Sequence, residues 1–394
     1  MGSDKIHHHH HHMVKVLILG QGYVASTFVA GLEKLRKGEI EPYGVPLARE
    51  LPIGFEDIKI VGSYDVDRAK IGKKLSEVVK QYWNDVDSLT SDPEIRKGVH
   101  LGSVRNLPIE AEGLEDSMTL KEAVDTLVKE WTELDPDVIV NTCTTEAFVP
   151  FGNKEDLLKA IENNDKERLT ATQVYAYAAA LYANKRGGAA FVNVIPTFIA
   201  NDPAFVELAK ENNLVVFGDD GATGATPFTA DVLSHLAQRN RYVKDVAQFN
   251  IGGNMDFLAL TDDGKNKSKE FTKSSIVKDI LGYDAPHYIK PTGYLEPLGD
   301  KKFIAIHIEY VSFNGATDEL MINGRINDSP ALGGLLVDLV RLGKIALDRK
   351  EFGTVYPVNA FYMKNPGPAE EKNIPRIIAY EKMRIWAGLK PKWL

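Results

Sequence analysis

Two lysines four residues apart, Lys269 and Lys273 in SKEFTKSS (268–275), stand where a polar stretch turns into an expected helix. Positions i and i+4 share one helical face, so both ammonium groups would point into the same space. Two cations that close repel each other unless an anion lies between them, and a phosphorylated substrate is the simplest such anion. Alone, a pair of this kind is more often a solvated basic face. Its neighbours argue for a site: the loop GDDGATGAT begins at Gly218, GDKK begins at Gly299, and Asp328 follows. Backbone amides around Thr223 to Thr226 would form an anion nest, with two threonine hydroxyls as further donors. A Gly-rich turn with no ligand is the alternative.

These residues need a frame that brings them together. The run VKVLIL (14–19) reads as a buried parallel strand, and GQGYVA follows at once, ahead of an amphipathic helix through Phe28, Leu32 and Leu35. This is G-x-G-x-x-A: Gly20 for the tight turn, Gly22 for close approach of a pyrophosphate, Ala25 for helix-on-strand packing. Placed between a first strand and a helix, it predicts a dinucleotide site that includes Tyr23 and Val24. Asp65, at the end of the next strand-like run (57–67), is expected at the adenosine hydroxyls, with Asp67 as competitor and a helix cap as the other role for either. An acid there disfavours a 2'-phosphate, so the expected cofactor is NAD. Helical spacing over 118–134, in Leu120, Val124, Leu127, Trp131 and Leu134, leads to DPDVIVNTCTTE. Asn141, Thr142 and Thr144 would then lie beyond the carboxyl end of a strand, where open α/β sheets bind ligands. The same strand-then-polar-loop form recurs at AAFVNVIP and NLVVFGDDGATG, with a helix over 168–184 stopping at Gly187 and Gly188. Asp219 and Asp220 would repel phosphate, and are expected to face the nicotinamide ribose, a cation or a lysine.

After a helix over 228–239 the pattern changes. Ile304, Ile306, Ile308 and Tyr310 alternate on one strand face, Asn314-Gly315 supplies a hairpin turn, and DELMINGRI returns. This predicts a small open sheet whose second face needs cover, expected to be a subunit interface. Helical spacing resumes at Leu332, Leu335, Leu336, Leu339 and Val340, and the chain ends in a helix from Pro375.

The hexahistidine in 1–12 reads as an expression tag and is left out of fold reasoning. The other histidines, His100, His235, His287 and His307, match no zinc spacing, so the metal is left unassigned. A net charge of -8 argues against nucleic acid as the main partner. No apolar run is long enough to span a bilayer, and no secretory signal is expected after Met13. The single cysteine, Cys143, excludes an internal disulfide framework and fits a reducing compartment; no histidine neighbours it in sequence to make it a nucleophile. A cytoplasmic protein of two domains is expected.

Taken together, GQGYVAS, NTCTTEAFV, GDDGATGAT, NIGGNMD, SKEFTKSSIVKDI, PLGDKK, INDSPALGGLLVDL and FYMKNPGP resemble the myo-inositol 1-phosphate synthase family, particularly its archaeal and bacterial members. The likeness spans nearly the whole chain after the tag. It implies an α/β fold: a Rossmann-like NAD-binding domain with an inserted α+β sheet domain used for catalysis and oligomerisation. The expected division is 13–245 for the Rossmann domain, 246–330 for the catalytic and tetramerisation domain, and 331–394 for a segment returning to the Rossmann domain. The implied reaction converts D-glucose 6-phosphate into a myo-inositol monophosphate by oxidation at carbon 5, enolisation, aldol closure and reduction, with NAD regenerated. By this resemblance Lys269 and Lys364 act near the reacting carbons, while Lys273 and Lys302 hold phosphate with Thr223, Gly224, Ala225 and Thr226. Ala225 offers only its backbone amide. Asp220, Asp256 and Asp328 fall on the acidic positions, and a homotetramer is implied. Divalent and monovalent cations both remain open as a further cofactor. The competing readings are an NAD-dependent sugar-phosphate dehydrogenase that releases NADH, and a protein that keeps the fold without turnover.

Overall fold

The computed structural model describes residues 13–262 and 275–394. Alternating strands and helices run β1 (Val14–Leu19), α1 (Tyr23–Arg36), β2 (Ile58–Asp65), α2 (Leu75–Tyr82), β3 (Ile95–Lys97), α3 (Leu120–Leu134) and β4 (Val138–Asn141). They continue through α4 (Lys154–Glu162), α5 (Ala171–Arg186), β5 (Ala189–Asn193), α6 (Pro203–Glu211), β6 (Leu214–Phe217) and α7 (Ala225–Gln238). A second set follows: β7 (Tyr242–Gly252), α8 (Met255–Ala259), α9 (Ser275–Leu281), β8 (His287–Tyr294), β9 (Lys301–Val311) and β10 (Thr317–Asn327). The chain closes with α10 (Asp328–Asp348), β11 (Gly353–Thr354), α11 (Tyr356–Tyr362) and α12 (Arg376–Trp386).

The first sheet is parallel throughout, in the order β11-β6-β5-β4-β1-β2-β3. Its strands are apolar on both faces because both faces are covered. Val14, Val16 and Ile18 pack under α1 and α10, while Leu17 and Leu19 pack under α3 and α5. On the second face Trp131, fully buried, meets Tyr64 and Tyr182 edge-on, each at 87°. Sequence order runs outward from β1 through β2 to β3 and in the opposite direction from β4, so β1 and β4 flank a topological switch point. Ligands of such sheets bind in the crevice at that point, beyond the carboxyl ends of the strands.

The second sheet has the order β10-β9-β7-β8, antiparallel except for β7 with β8. Ile304, Ile306, Ile308 and Tyr310 are buried as the alternation requires, and Ile306 and Ile308 pack against Ala230, Leu233 and Leu236 of α7 and against Ile276 and Val277 of α9. The hairpin turn falls at Asn314 and Gly315, with φ of 61° and 75°. On the remaining surface Phe313, Met321, Tyr242, Phe249 and Tyr288 are exposed.

The expected boundaries shift. The 245/246 division falls inside β7, whose pairing with β9 begins at Tyr242 opposite Val311. The 330/331 division falls inside α10, an unbroken helix that leaves the second sheet and buries Leu336, Leu339 and Val340 in the core of the first. Polar composition changes at the turn after β7, whereas strand pairing changes before it. The helix expected over 228–239 also starts earlier, at Ala225, because Pro227 fits the first turn of a helix.

Among the described residues, no helix is long and apolar enough to cross a membrane.

Candidate active site

The turn after β1 has the predicted form. Gly20 has φ +90°, and a Cβ there would lie 2.9 Å from the backbone of Thr142 and Cys143, so the β1 and β4 turns touch only because this residue has no side chain. Gly22 caps α1, and a Cβ on it would meet nothing within 4 Å. The first turn of α1 carries no acid and no side-chain cap, which leaves its amides open to an anion above Gly22. Ala25 is buried. A dinucleotide pyrophosphate therefore fits: among the described residues no side chain fills the cradle or caps the helix end.

Asp65 sits beside this turn but is also part of its frame. Its carboxylate accepts from Gln21 N at 2.8 Å, Val66 N at 2.7 Å and Asp67 N at 2.9 Å. Lys70 Nζ donates to Gln21 O at 3.0 Å and to Tyr82 Oη at 2.7 Å. Burial alone would lower the Lys70 pKa, but Asp65 and Tyr82 outweigh it and hold the ammonium above its usual value. Neither Lys70 nor Gln21 was singled out from the sequence. Gln21, the variable residue between the glycines, is a fully buried peg that joins Ser26 and Ser63.

The three residues expected beyond β4 divide. Thr142 and Thr144 line the crevice, with Thr142 Oγ1 donating to Gly20 O at 2.7 Å. Asn141 does not line it: the side chain is fully buried and donates to Thr172 Oγ1 and Asn193 Oδ1. Its polarity serves the packing of β4 on β5 and α5, so a cofactor contact is corrected to a framework role. Cys143 lines the crevice, and burial, then Glu146 and Asp65, push its thiol well above the ordinary value. Such a thiol is a poor nucleophile.

The adjacent acids of the loop after β6 also divide. Asp219 is fully buried and accepts five hydrogen bonds, from Asn193 Nδ2, Ile199 N, Ala200 N, Asn201 N and Asn201 Nδ2, at 2.8–3.1 Å. Every lone pair faces the protein, so the expected contact with the nicotinamide ribose is corrected: Asp219 fastens the loop. Burial raises its pKa to about 6 against those bonds. Asp220 turns the other way and lines the crevice.

Behind this loop runs the segment after α11. Asp219 N donates to Asn365 O at 2.9 Å, Asn365 N returns to Asp219 O at 3.0 Å, and Lys364 N donates to Asp220 O at 2.5 Å. That short ladder brings Lys364, from the far end of the chain, into the crevice beside Asp220.

The anion nest takes a definite form. Gly224, φ +62°, caps α7, and Thr223, Ala225 and Thr226 line the crevice around its N-terminus. Lys302, from β9, approaches across Gly224: a Cβ there would stand 3.1 Å from Nζ. Lys302 is 9% exposed, and its Nζ lies 3.2 Å from Asp328 Oδ1. Asp328 Oδ2 accepts from Asn254 Nδ2 at 3.2 Å. Asp300 completes the support by accepting from Ser329 N at 2.9 Å, which caps α10 in place of the N-cap residue Asn327. Asp256 also lines the crevice, and its Oδ1 accepts from Thr145 Oγ1 at 2.5 Å. Asn254, Asp300 and Thr145 were not singled out from the sequence, although all three lie inside the motifs NIGGNMD, PLGDKK and NTCTTEAFV.

One crevice thus gathers Lys302, Lys364, Asp220, Asp256, Asp328 and the nest. Lys269 and Lys273 lie outside the described residues. Elsewhere, His100 Nε2 is 3.0 Å from both oxygens of Asp116, and its Nδ1 accepts from Gly102 N. Both ring nitrogens are engaged, which makes a loop staple rather than a prepared metal ligand.

Residues 224–329 match the family described as myo-inositol-1-phosphate synthase. Over 391 residues the chain is 28% identical to inositol-3-phosphate synthase of Corynebacterium glutamicum, covering 95% of this chain and 98% of that one. It is 29% identical over 365 residues to inositol-3-phosphate synthase of Mycobacterium tuberculosis H37Rv, covering 90% and 91%. Its fold is similar to that of inositol-3-phosphate synthase from Caenorhabditis elegans, with a TM-score of 0.79 at 17% identity over 96% of this chain and 86% of that one.

Proposed function

This chain belongs to the myo-inositol-1-phosphate synthase family, and from that premise we propose that it converts D-glucose 6-phosphate into myo-inositol 1-phosphate with NAD used catalytically. The observation that carries the reading is the approach of the Lys302 ammonium to the N-terminus of α7 across Gly224, a nest for a phosphate in the same crevice as Gly22 and Thr142. Gly20, Gly22, Tyr23, Val24 and Ala25, with Asp65, would hold NAD, which would supply the hydride acceptor and donor that the oxidation and reduction at carbon 5 require.

The rest of the work falls to the chain's own side chains. Oxidation, enolisation and aldol closure each place negative charge on a substrate oxygen, and a nearby ammonium stabilises it by several kcal/mol in a water-poor site, about 3 kcal/mol for one well-aimed donor. Lysine suits this because its pKa falls when other cations and burial surround it, so it can also exchange protons. Lys364 and Lys269 are assigned to the reacting carbons. Lys302 and Lys273 are assigned to phosphate, with the amides of Gly224 and Ala225 and the hydroxyls of Thr223 and Thr226. Asp328 holds Lys302 in place, and Asp220 and Asp256 orient sugar hydroxyls, a cation or a lysine. The outward surface of the second sheet is assigned to a homotetramer interface.

Incubation with glucose 6-phosphate and catalytic NAD, followed by NMR of the product, tests the reading. The expected result is inositol phosphate with no net NADH. Stoichiometric NADH without inositol phosphate would convert the assignment to a sugar-phosphate dehydrogenase.

A further inference from the structure

We propose that Gln248, together with Asn250, reads one free hydroxyl of the sugar phosphate and so sets which sugar the site accepts, a role that rests on the function proposed above. Gln248 lies in the middle of β7, opposite Ile306 of β9, and is 1% exposed. It nevertheless lines the crevice. Its Oε1 accepts from Thr229 Oγ1 at 2.5 Å, while its Nε2 has no hydrogen-bond partner among the described residues. Asn250, two residues on and therefore on the same face of β7, also lines the crevice, and its Oδ1 likewise lacks a partner among the described residues. Lys302 lies on that face of the neighbouring strand, two residues before Ile304, which is paired with Asn250.

A buried amide with an unspent donor is costly, and a position needed only to fill space beneath Thr229 would be as well served by an apolar side chain. The chemistry of the pair selects its ligand. One open group donates and the other accepts. A phosphate dianion offers acceptors alone and would leave Asn250 Oδ1 unsatisfied. A hydroxyl both donates and accepts, and satisfies Gln248 Nε2 and Asn250 Oδ1 together. The phosphate is left to Lys302 and the α7 nest, and the pair reads the sugar beyond it.

The test measures kcat and KM of wild type, Gln248→Met and Asn250→Ala with glucose 6-phosphate and its 2-, 3- and 4-deoxy analogues, and the inhibition constant of inorganic phosphate. Wild-type product formation decides the parent reading before any variant is compared. Wild type is expected to disfavour one deoxy analogue by about 10-fold or more in kcat/KM, since a site built to hydrogen-bond a hydroxyl rejects the analogue lacking it. Either variant should lower kcat/KM for the parent sugar while sparing that analogue, collapsing the ratio towards one, with phosphate inhibition unchanged. Equal loss across all four sugars, or no loss, overturns the proposal. Weakened phosphate inhibition in either variant overturns it too, by placing the pair on the phosphate. Should Gln248→Met fail to fold, Asn250→Ala carries the same expectation.

Discussion

Lys302 Nζ stands 3.2 Å from Asp328 Oδ1, joining the start of β9 to the first residue of α10, and both side chains are mostly buried. The carboxylate lies at a helix N-terminus, where negative charge is favoured, and aims the ammonium across Gly224 at the head of α7. Removing the cation should therefore harm chemistry more than folding. Lys302→Met is expected to lower kcat/KM by about 100-fold or more, the scale of a lost charged donor. Thermal melts should show a folded protein, since Asp328 keeps Asn254 as a partner. A variant with near-normal turnover would remove Lys302 from the site.

Gly224 makes that approach possible. A methyl group there would sit 3.1 Å from Lys302 Cε and Nζ, at a backbone φ of +62° that L side chains rarely adopt. The end of a lysine can move, so Gly224→Ala should yield a folded protein whose ammonium is displaced from the nest. About a 10-fold rise in the Kd of inorganic phosphate is expected, with a loss of about 1 kcal/mol in stability from the strained φ. Calorimetric titration with phosphate measures the first and chemical unfolding the second; unchanged phosphate affinity would separate the nest from Lys302.

The legible part of the molecule is that in which local pattern and tertiary role coincide. VKVLIL followed by GQGYVA could be read because a buried strand, a tight turn and a helix each need those residues there. The alternation of Ile304, Ile306 and Ile308 could be read for the same reason. Adjacent polar residues in one loop could not be sorted: Asp219 faces the interior and Asp220 the crevice, and only the donors on 199–201 and Asn193 decide which. Asn141 misled in the same way, since a polar residue at a strand end can bond to neighbouring strands as well as to a ligand. Gln248 was missed because within YVKDVAQFNIG its side chain breaks no pattern; its significance lies in an unpaired atom.

The two glycines of the first turn should respond oppositely. A Cβ on Gly20 would lie 2.9 Å from the backbone of Thr142 and Cys143, and its φ is +90°. Gly20→Ala must push the β1 and β4 turns apart and is expected to cost at least about 2 kcal/mol of stability. A Cβ on Gly22 would meet nothing within 4 Å, so Gly22→Ala should fold normally and raise the NAD Kd by about 10-fold or more. Thermal melts paired with NAD titration distinguish them. Equal affinity for NAD in wild type and Gly22→Ala would move the pyrophosphate elsewhere.

Asp219→Asn probes the loop that separates framework from site. One amide nitrogen in place of a carboxylate oxygen faces at least two of the five donors now bound by Asp219. With about 1–3 kcal/mol for each buried donor left unsatisfied, a loss of roughly 2–5 kcal/mol is expected near neutral pH. The pH dependence has a definite sign. Burial raises the folded-state pKa from 3.8 to about 6, so between those values the folded protein keeps a proton that the unfolded chain has lost. Stability due to Asp219 therefore falls as pH rises through that window, by on the order of 3 kcal/mol, and is constant above it. Asparagine has no such titration. The gap in unfolding free energy between wild type and Asp219→Asn should thus be widest below about pH 4, shrink as pH rises and reach a plateau by about pH 7. Urea unfolding across that range measures it. A gap that widens with pH would mean that the ionised carboxylate is the favoured form in the fold, and that the five donors outweigh its burial.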